Sequence, residues 1–219
     1  MEDVLDAYHL PYDKDCPLIC MDEKPYQLLA DAHEPIPMQK GKPQRVDDEY
    51  ARHGVCSIFV FTEPLTGYRH VSVRERRTRS DWAYEVAYLL EVLYPKAPQV
   101  RLVCDNLNTH TLASLYVTFP PEKARQLAKR LLIHYTPKHG SWLNIAEIEL
   151  SVMSHQCLKR RISSIDALRM QLGYWESRRN ALVRGVKWQF TTSDARIKLK
   201  RLYPVLEMDT SSSIIWIKP

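Results

Sequence analysis

Glycine is scarce. Six glycines in 219 residues form neither a G-x-G-x-x-G nor a G-x-x-x-x-G-K pattern, which sets aside the nucleotide-binding classes that cradle phosphate on such loops. The five cysteines contain no C-x-x-C pair, which argues against a structural zinc site. Cys20, Cys56 and Cys104 each sit in an apolar run and read as reduced core residues. No apolar run approaches the roughly 18 residues of a membrane span, and MEDVLDAYHL is acidic where a signal peptide would be basic. The expected setting is cytoplasmic, without a membrane. Internal repeats are absent. Acid is also scarce in one region: residues 151 to 201 hold twelve Lys and Arg but only Asp166, Glu176 and Asp194 as acids. A one-sided excess of this kind points to a polyanion, of which nucleic acid is the commonest.

What is present is the composition of a globular α/β protein, 45% hydrophobic and 26% charged, long enough for one large domain. The chain opens with a short helical lead-in ending at Pro11. PLICM (17–21) reads as a first strand ending on Asp22, and residues 23 to 50 as a polar, proline-rich excursion. VCSIFVFTE (55–63) and YRHVSV (68–73) read as a hairpin. A helix over 80–94 starts at Ser80-Asp81 and stops at Pro95. QVRLVCD (99–105) is a strand, followed by helices near 109–118 and 121–129. LLIHY (131–135) is a strand, and helices cover 143–158 and 165–182. Three antiparallel strands followed by two crossover-linked parallel ones match a ribonuclease H-like mixed sheet flanked by helices. In that topology Asp22 and Asp105 stand side by side at one sheet edge.

VCDNLNTH (103–110) sharpens the point. An apolar run ends in Asp105 and is followed by Asn106, Asn108, Thr109 and His110. Turn and cap chemistry is one reading. The other is a metal ligand at the carboxyl edge of the sheet. Two carboxylates on adjacent strand ends repel unless a cation lies between them, and magnesium suits such oxygen ligands. Paired divalent ions about 4 Å apart serve phosphoryl transfer. Glu147 and Glu149 in SWLNIAEIEL are candidates for a third ligand. Two residues apart on a helix is about 200°, so only one of them can face the ions.

CMDEKP around Asp22, VCDNLNTH around Asp105 and YTPKHGSWLNIAEIE ending on Glu147 resemble the three motifs of DDE transposases. The branch is the bacterial insertion-sequence group of the mariner superfamily, whose third motif N-x-x-E corresponds to Asn144 through Glu147. The resemblance covers about residues 17 to 204, read as the catalytic domain, with 1–16 as a linker and 205–219 as a tail without clear pattern. It implies that Asp22, Asp105 and Glu147 are catalytic and hold two Mg2+ (or Mn2+) ions. It implies cutting of transposon ends by activated water. A 3′-hydroxyl then attacks target DNA, usually at TA, without a covalent protein intermediate. The active complex is expected to be a homodimer, nucleoid-associated in a bacterium. The helix-turn-helix modules that precede the catalytic domain in such transposases are missing from this sequence, which starts at what would be the linker after them. The gap from Asp105 to Glu147 is longer than in animal mariner elements, and FPPEKARQ reads as an added helical piece.

Supporting roles remain open between two readings. Asn106 orients Asp105, contacts phosphate or makes a turn. His110 is a helix-start contact or a base. Lys138 and His139 precede the third motif and read as DNA contacts or turn residues, and Lys159, Arg160 and Arg161 read as phosphate contacts. Glu23 is expected on the strand face opposite Asp22. Trp142 is expected in the core, and Trp175, Trp188 and Phe190 are expected to pack rather than stack on bases. A non-catalytic remnant that binds DNA or a partner protein is the alternative class, and the three intact carboxylates favour the enzyme. The nearest rival enzymes are a ribonuclease H-like nuclease and a retroviral-type integrase.

Overall fold

The computed structural model describes residues 1–34, 36–43, 45 and 47–203, and the backbone of 206–208 and 215–217. Helix α1 (Glu2–Tyr8) leads into β1 (Leu18–Asp31), β2 (Tyr50–Glu63) and β3 (Tyr68–Arg74). Helix α2 (Arg79–Tyr88) ends in a π-helical turn, Leu89–Leu93, before β4 (Val100–Cys104). Helices α3 (Leu112–Thr118) and α4 (Pro121–Arg130) precede β5 (Leu131–Tyr135). Three helices follow: α5 (Ala146–Gln156), α6 (Ile165–Ala181) and α7 (Thr192–Lys198). Two short strands, β6 (Leu206–Met208) and β7 (Ile215–Ile217), pair antiparallel. The rest of the 205–219 tail, for which no pattern was expected, lies outside the described residues.

The main sheet has the order β3-β2-β1-β4-β5. The first three strands pair antiparallel, β4 pairs parallel to β1, and β5 parallel to β4. This is the expected ribonuclease H-like mixed sheet. Its alternation sorts residues between two helical layers. Ile19, Met21, Leu102 and Cys104 pack against α2, α3 and α4. On the other face Cys20 and Val103 meet α1, the start of α5 and α7, while Ile58, Val60, Val71 and Val73 meet α5 and α6. Covered on both faces, the second half of β2 is buried without a break from Cys56 to Glu63, as a central strand requires.

Three expectations need correction. The first strand does not end on Asp22. It runs on to Asp31, paired with β2 as far back as Tyr50, with a bulge between Gln27 and Leu29. Residues 50–55 are all exposed, so this arm carries no apolar pattern. Pro25 also looks like a breaker, but β1 has no strand neighbour on its β4 side beyond Cys20, and a proline is tolerated at a free edge. Helix α2 is capped by Thr78 in a reciprocal box with Asp81, not by Ser80. Trp142 is 44% exposed and lies edge-on to Phe190. Trp175, Trp188 and Phe190 pack against the core, as expected.

Helix α6 protects the edge of the sheet. Asn180 bonds both the N–H and the carbonyl of Arg69, Glu176 accepts from the Val71 N–H, and Arg169 donates to the Val73 carbonyl. These side chains stand where a further strand would pair. Beneath them lies a buried ionic knot. Glu149, 1% exposed, meets Arg69 Nε at 2.7 Å and Arg179 Nη2 at 3.1 Å. Arg69 also donates to the carbonyls of Gly67 and Arg184. Burial pushes the Glu149 pKa up, but the two guanidiniums outweigh it and hold it below the usual range. Removing one member of such a knot leaves buried charge uncompensated. Glu149→Ala is therefore expected to destabilise the chain by about 3–5 kcal/mol, read from urea denaturation. A shift below about 0.5 kcal/mol, the usual size for a surface change, would contradict the knot.

Candidate active site

The site grows out of the point where β1 and β4 part. Their parallel pairing ends at Cys20 opposite Val103. Two residues beyond that pair come Asp22, still within β1, and Asp105, just past the end of β4. Asp22 is part-buried, and the Glu23 N–H donates to its Oδ1 at 2.8 Å. Helix α5 supplies the third acid. Asn144, 1% exposed, donates from Nδ2 to the Met21 carbonyl at 2.8 Å and accepts from the Ala146 N–H through Oδ1. It thereby ties the first turn of α5 to the strand residue next to Asp22. Glu147 follows on that turn, exposed, and lines a cleft of about 400 Å³ with Asp22, Glu23, Lys24, Ser151 and His155. Glu149 turns inward to its ionic knot, so the two glutamates face apart as helical geometry requires.

The carboxylates feel one another. Burial pushes the Asp22 carboxyl up to about 7; the Glu23 N–H opposes this, and the charges of Glu147, Asp105 and Glu23 add to it. Among the described residues, no three His, Cys, Asp or Glu side chains stand close enough to cage an ion as placed. Glu147 is exposed and lines the cleft beside Asp22. The donor set fits a hard divalent cation: oxygen ligands only, mutually repelling, with room for water.

His110 was expected to start a helix or act as a base. It sits 1% exposed, with Nδ1 2.5 Å from Asp105 Oδ1 and Nε2 2.9 Å from Glu23 Oε2. Its ring stacks on Trp82 at 5.7 Å. Burial works to lower its pKa, but hydrogen bonding to Asp105, Cys104 and Glu23 and the Glu23 charge raise it to about 12. The buried His110 ring thus stands between Asp105 and Glu23. Glu23 does point to the face opposite Asp22, and there it serves the site through His110. The motif spacing flagged His110, but nothing in the sequence signalled its pairing with a residue 87 positions earlier.

The other named residues divide. Lys138 and His139 are exposed on the turn after β5, where the Thr136 N–H extends the sheet to the Cys104 carbonyl. They therefore rise from the same edge as Asp105. His139 adopts a left-handed φ of 62°, and a Cβ on Gly140 would meet Pro137 at 2.6 Å, so the turn is tight. Asn106 is exposed at the strand end. Lys159 and Arg160 are exposed after α5. Arg161 is committed to the hairpin arm instead, paired with Asp31 at 2.8 Å and donating to the Glu49 and Asp48 carbonyls.

A family model described as DDE superfamily endonuclease matches residues 17–169. The chain belongs to this family. Of the solved structures that resemble it, the Mos1 mariner paired end complex with Mn has a TM-score of 0.51 at 16% identity, covering 75% of this chain and 49% of that one. The Mos1 strand transfer complex has a TM-score of 0.52 at 14% identity, covering 74% and 47%. At such identity the likeness is one of fold. The chain spans about half the length of these two proteins. No curated protein matches significantly. No described helix of this DDE family member is long and apolar enough to cross a membrane.

The site sets a pH dependence. An unfolded aspartate titrates near 3.9, and Asp22 in the folded chain near 7. Between these values the folded chain holds a proton that the unfolded chain has released, so Asp22 makes stability fall as pH rises from about 4 to about 7. The raised His110 pKa adds a further fall above about 6.5. In metal-free buffer the Tm of wild type is expected to drop between pH 5 and pH 8, and Asp22→Asn to show a smaller drop. Equal drops in the two proteins would clear Asp22 as a source.

Proposed function

We propose that this chain is the metal-dependent catalytic domain of a DNA transposase. It cuts transposon ends and joins the exposed 3′-hydroxyl to target DNA. The reading is carried by one observation: Asp22 and Asp105 follow the last paired residues of neighbouring strands, and Glu147 lines a cleft with Asp22. It is supported by the family match and by a fold shared with Mos1 complexes of paired ends and strand transfer, one of them with Mn.

Asp22, Asp105 and Glu147 would hold two Mg2+ or Mn2+ ions. When bound, such ions activate an attacking oxygen and stabilise a leaving oxygen in line with it. The residues around them do the positioning. Glu23 and His110 fix the carboxylate of Asp105, so its orientation need not be ordered at the moment of reaction. Asn144 fixes the depth at which α5 presents Glu147. Lys138 and His139, above the edge that bears Asp105, would contact a phosphate on one side of the cleft. Lys24, whose Nζ donates to Ser154 Oγ at 2.9 Å, lines the other. Lys159 and Arg160 extend the contact along the backbone without reading sequence. A homodimeric complex, a TA target, the bacterial insertion-sequence branch and a nucleoid-associated, cytoplasmic setting belong to the same proposal.

The test is nicking of supercoiled plasmid with Mg2+ or Mn2+. Wild type is expected to convert it to open circles, and chelator to stop the conversion. Asp22→Ala, Asp105→Ala and Glu147→Ala are each expected to lose at least about a hundredfold, the scale of removing a group that stabilises transition-state charge. Nicking that survives all three changes, or a folded wild type inert with either metal, would sink the proposal.

A further inference from the structure

A second cavity, of about 370 Å³, lies between the end of α5 and the outer face of α6. Trp175 lines it as a buried wall, its Nε1 donating to Gln156 Oε1 at 3.1 Å. Tyr174 stands beside it 69% exposed. Arg160 and Arg178, both exposed, complete the lining with Arg179, and no carboxylate lines the cavity. We propose that this cavity binds an unpaired stretch of DNA strand, with phosphates on Arg160 and Arg178 and a base face on Tyr174.

Charge is the first argument. Five of the twelve basic residues of 151–201, Arg161, Arg169, Arg179, Arg196 and Lys198, each face an acid. Among the described residues, no acid stands within ion-pair distance of Arg160 or Arg178. Two uncompensated guanidiniums in one concave site call for an anion, and guanidinium suits phosphate. A large exposed phenol beside them adds a flat π surface, and a strand with splayed bases offers both phosphate and base face.

Position is the second argument. Helix α5 joins the two cavities. Glu147, Ser151 and His155 line the carboxylate cleft, and Gln156 lines this one. From Glu147 to Gln156 along α5 is about 14 Å. A strand leaving the cleft along this helix reaches the arginines within a few nucleotides of the cut. The inference rests on the DNA reading of the cleft.

The test uses the full chain and a fluorescein-labelled single-stranded oligonucleotide, with anisotropy followed over a salt series. Arg160→Ala/Arg178→Ala is expected to weaken binding at least tenfold and to flatten the log–log salt slope by about 1.4, two phosphates on a single strand. Tyr174→Ala is expected to weaken binding roughly tenfold through lost stacking, and Tyr174→Phe to bind like wild type. Arg125→Ala/Lys129→Ala, on α4 across the sheet, is the control and is expected to change little. An equal loss in the control, or wild-type affinity in the α5–α6 variants, overturns the inference. If Tyr174→Phe falls as far as Tyr174→Ala, the base-stacking assignment is wrong. A wild type that nicks plasmid while these variants bind single strands unchanged fails this inference alone. A wild type that binds no DNA, single or double, fails both.

Discussion

Three residue pairs join β1 to β4, Leu18–Arg101, Ile19–Leu102 and Cys20–Val103, and the site depends on where that pairing stops. While it lasts, the backbone ladder sets the two strands about 4.8 Å apart. Where it stops, β4 turns away into the Asp105 segment and β1 runs on along β2 alone. The first outward residues beyond the ladder are two carboxylates. Without the parallel crossover through α2, Asp22 and Asp105 would be unrelated residues 83 positions apart. A one-residue slip in register would put one of them on the wrong face.

That juxtaposition costs stability in the metal-free chain, and the surrounding residues distribute the cost. Burial and neighbouring charge raise the Asp22 pKa towards neutrality, which lets it take a proton in place of a cation. Asp105 is handled differently: His110 is buried between it and Glu23, and these neighbours push the imidazole pKa up. Glu147 remains exposed on the α5 side. Asn144 holds that side at a fixed depth, because its own buried amide has its partners on β1 and α5.

Much of this arrangement was legible in the sequence, for definite reasons. LLIHY became β5 within its expected bounds because an apolar run bounded by a helix and a proline has few alternatives. Glu147 and Glu149 divided as the 3.6-residue period demands. Residues that act through distant partners were not legible. Arg69 looks like a surface residue of an alternating strand, and only the fold brings onto it Glu149, which Arg179 also holds. The arm of β1 beyond Asp22 was hidden because its pairing is a backbone property and its side chains are partly solvated. Helix α7 did carry a local signal, the reciprocal box of Thr191 and Asp194, but one box before a short polar segment is weak without the packing of Ala195 against α1.

The central claim is that Asp22, Asp105 and Glu147 form one divalent-metal site. Anomalous diffraction from crystals grown with Mn2+ tests it most directly. The account predicts manganese density between Asp22 and Asp105, with the Glu147 side chain swung inward to meet it and His110 still against Asp105. Manganese bound elsewhere, or an empty cleft with Glu147 pointing to solvent at saturating Mn2+, would contradict it.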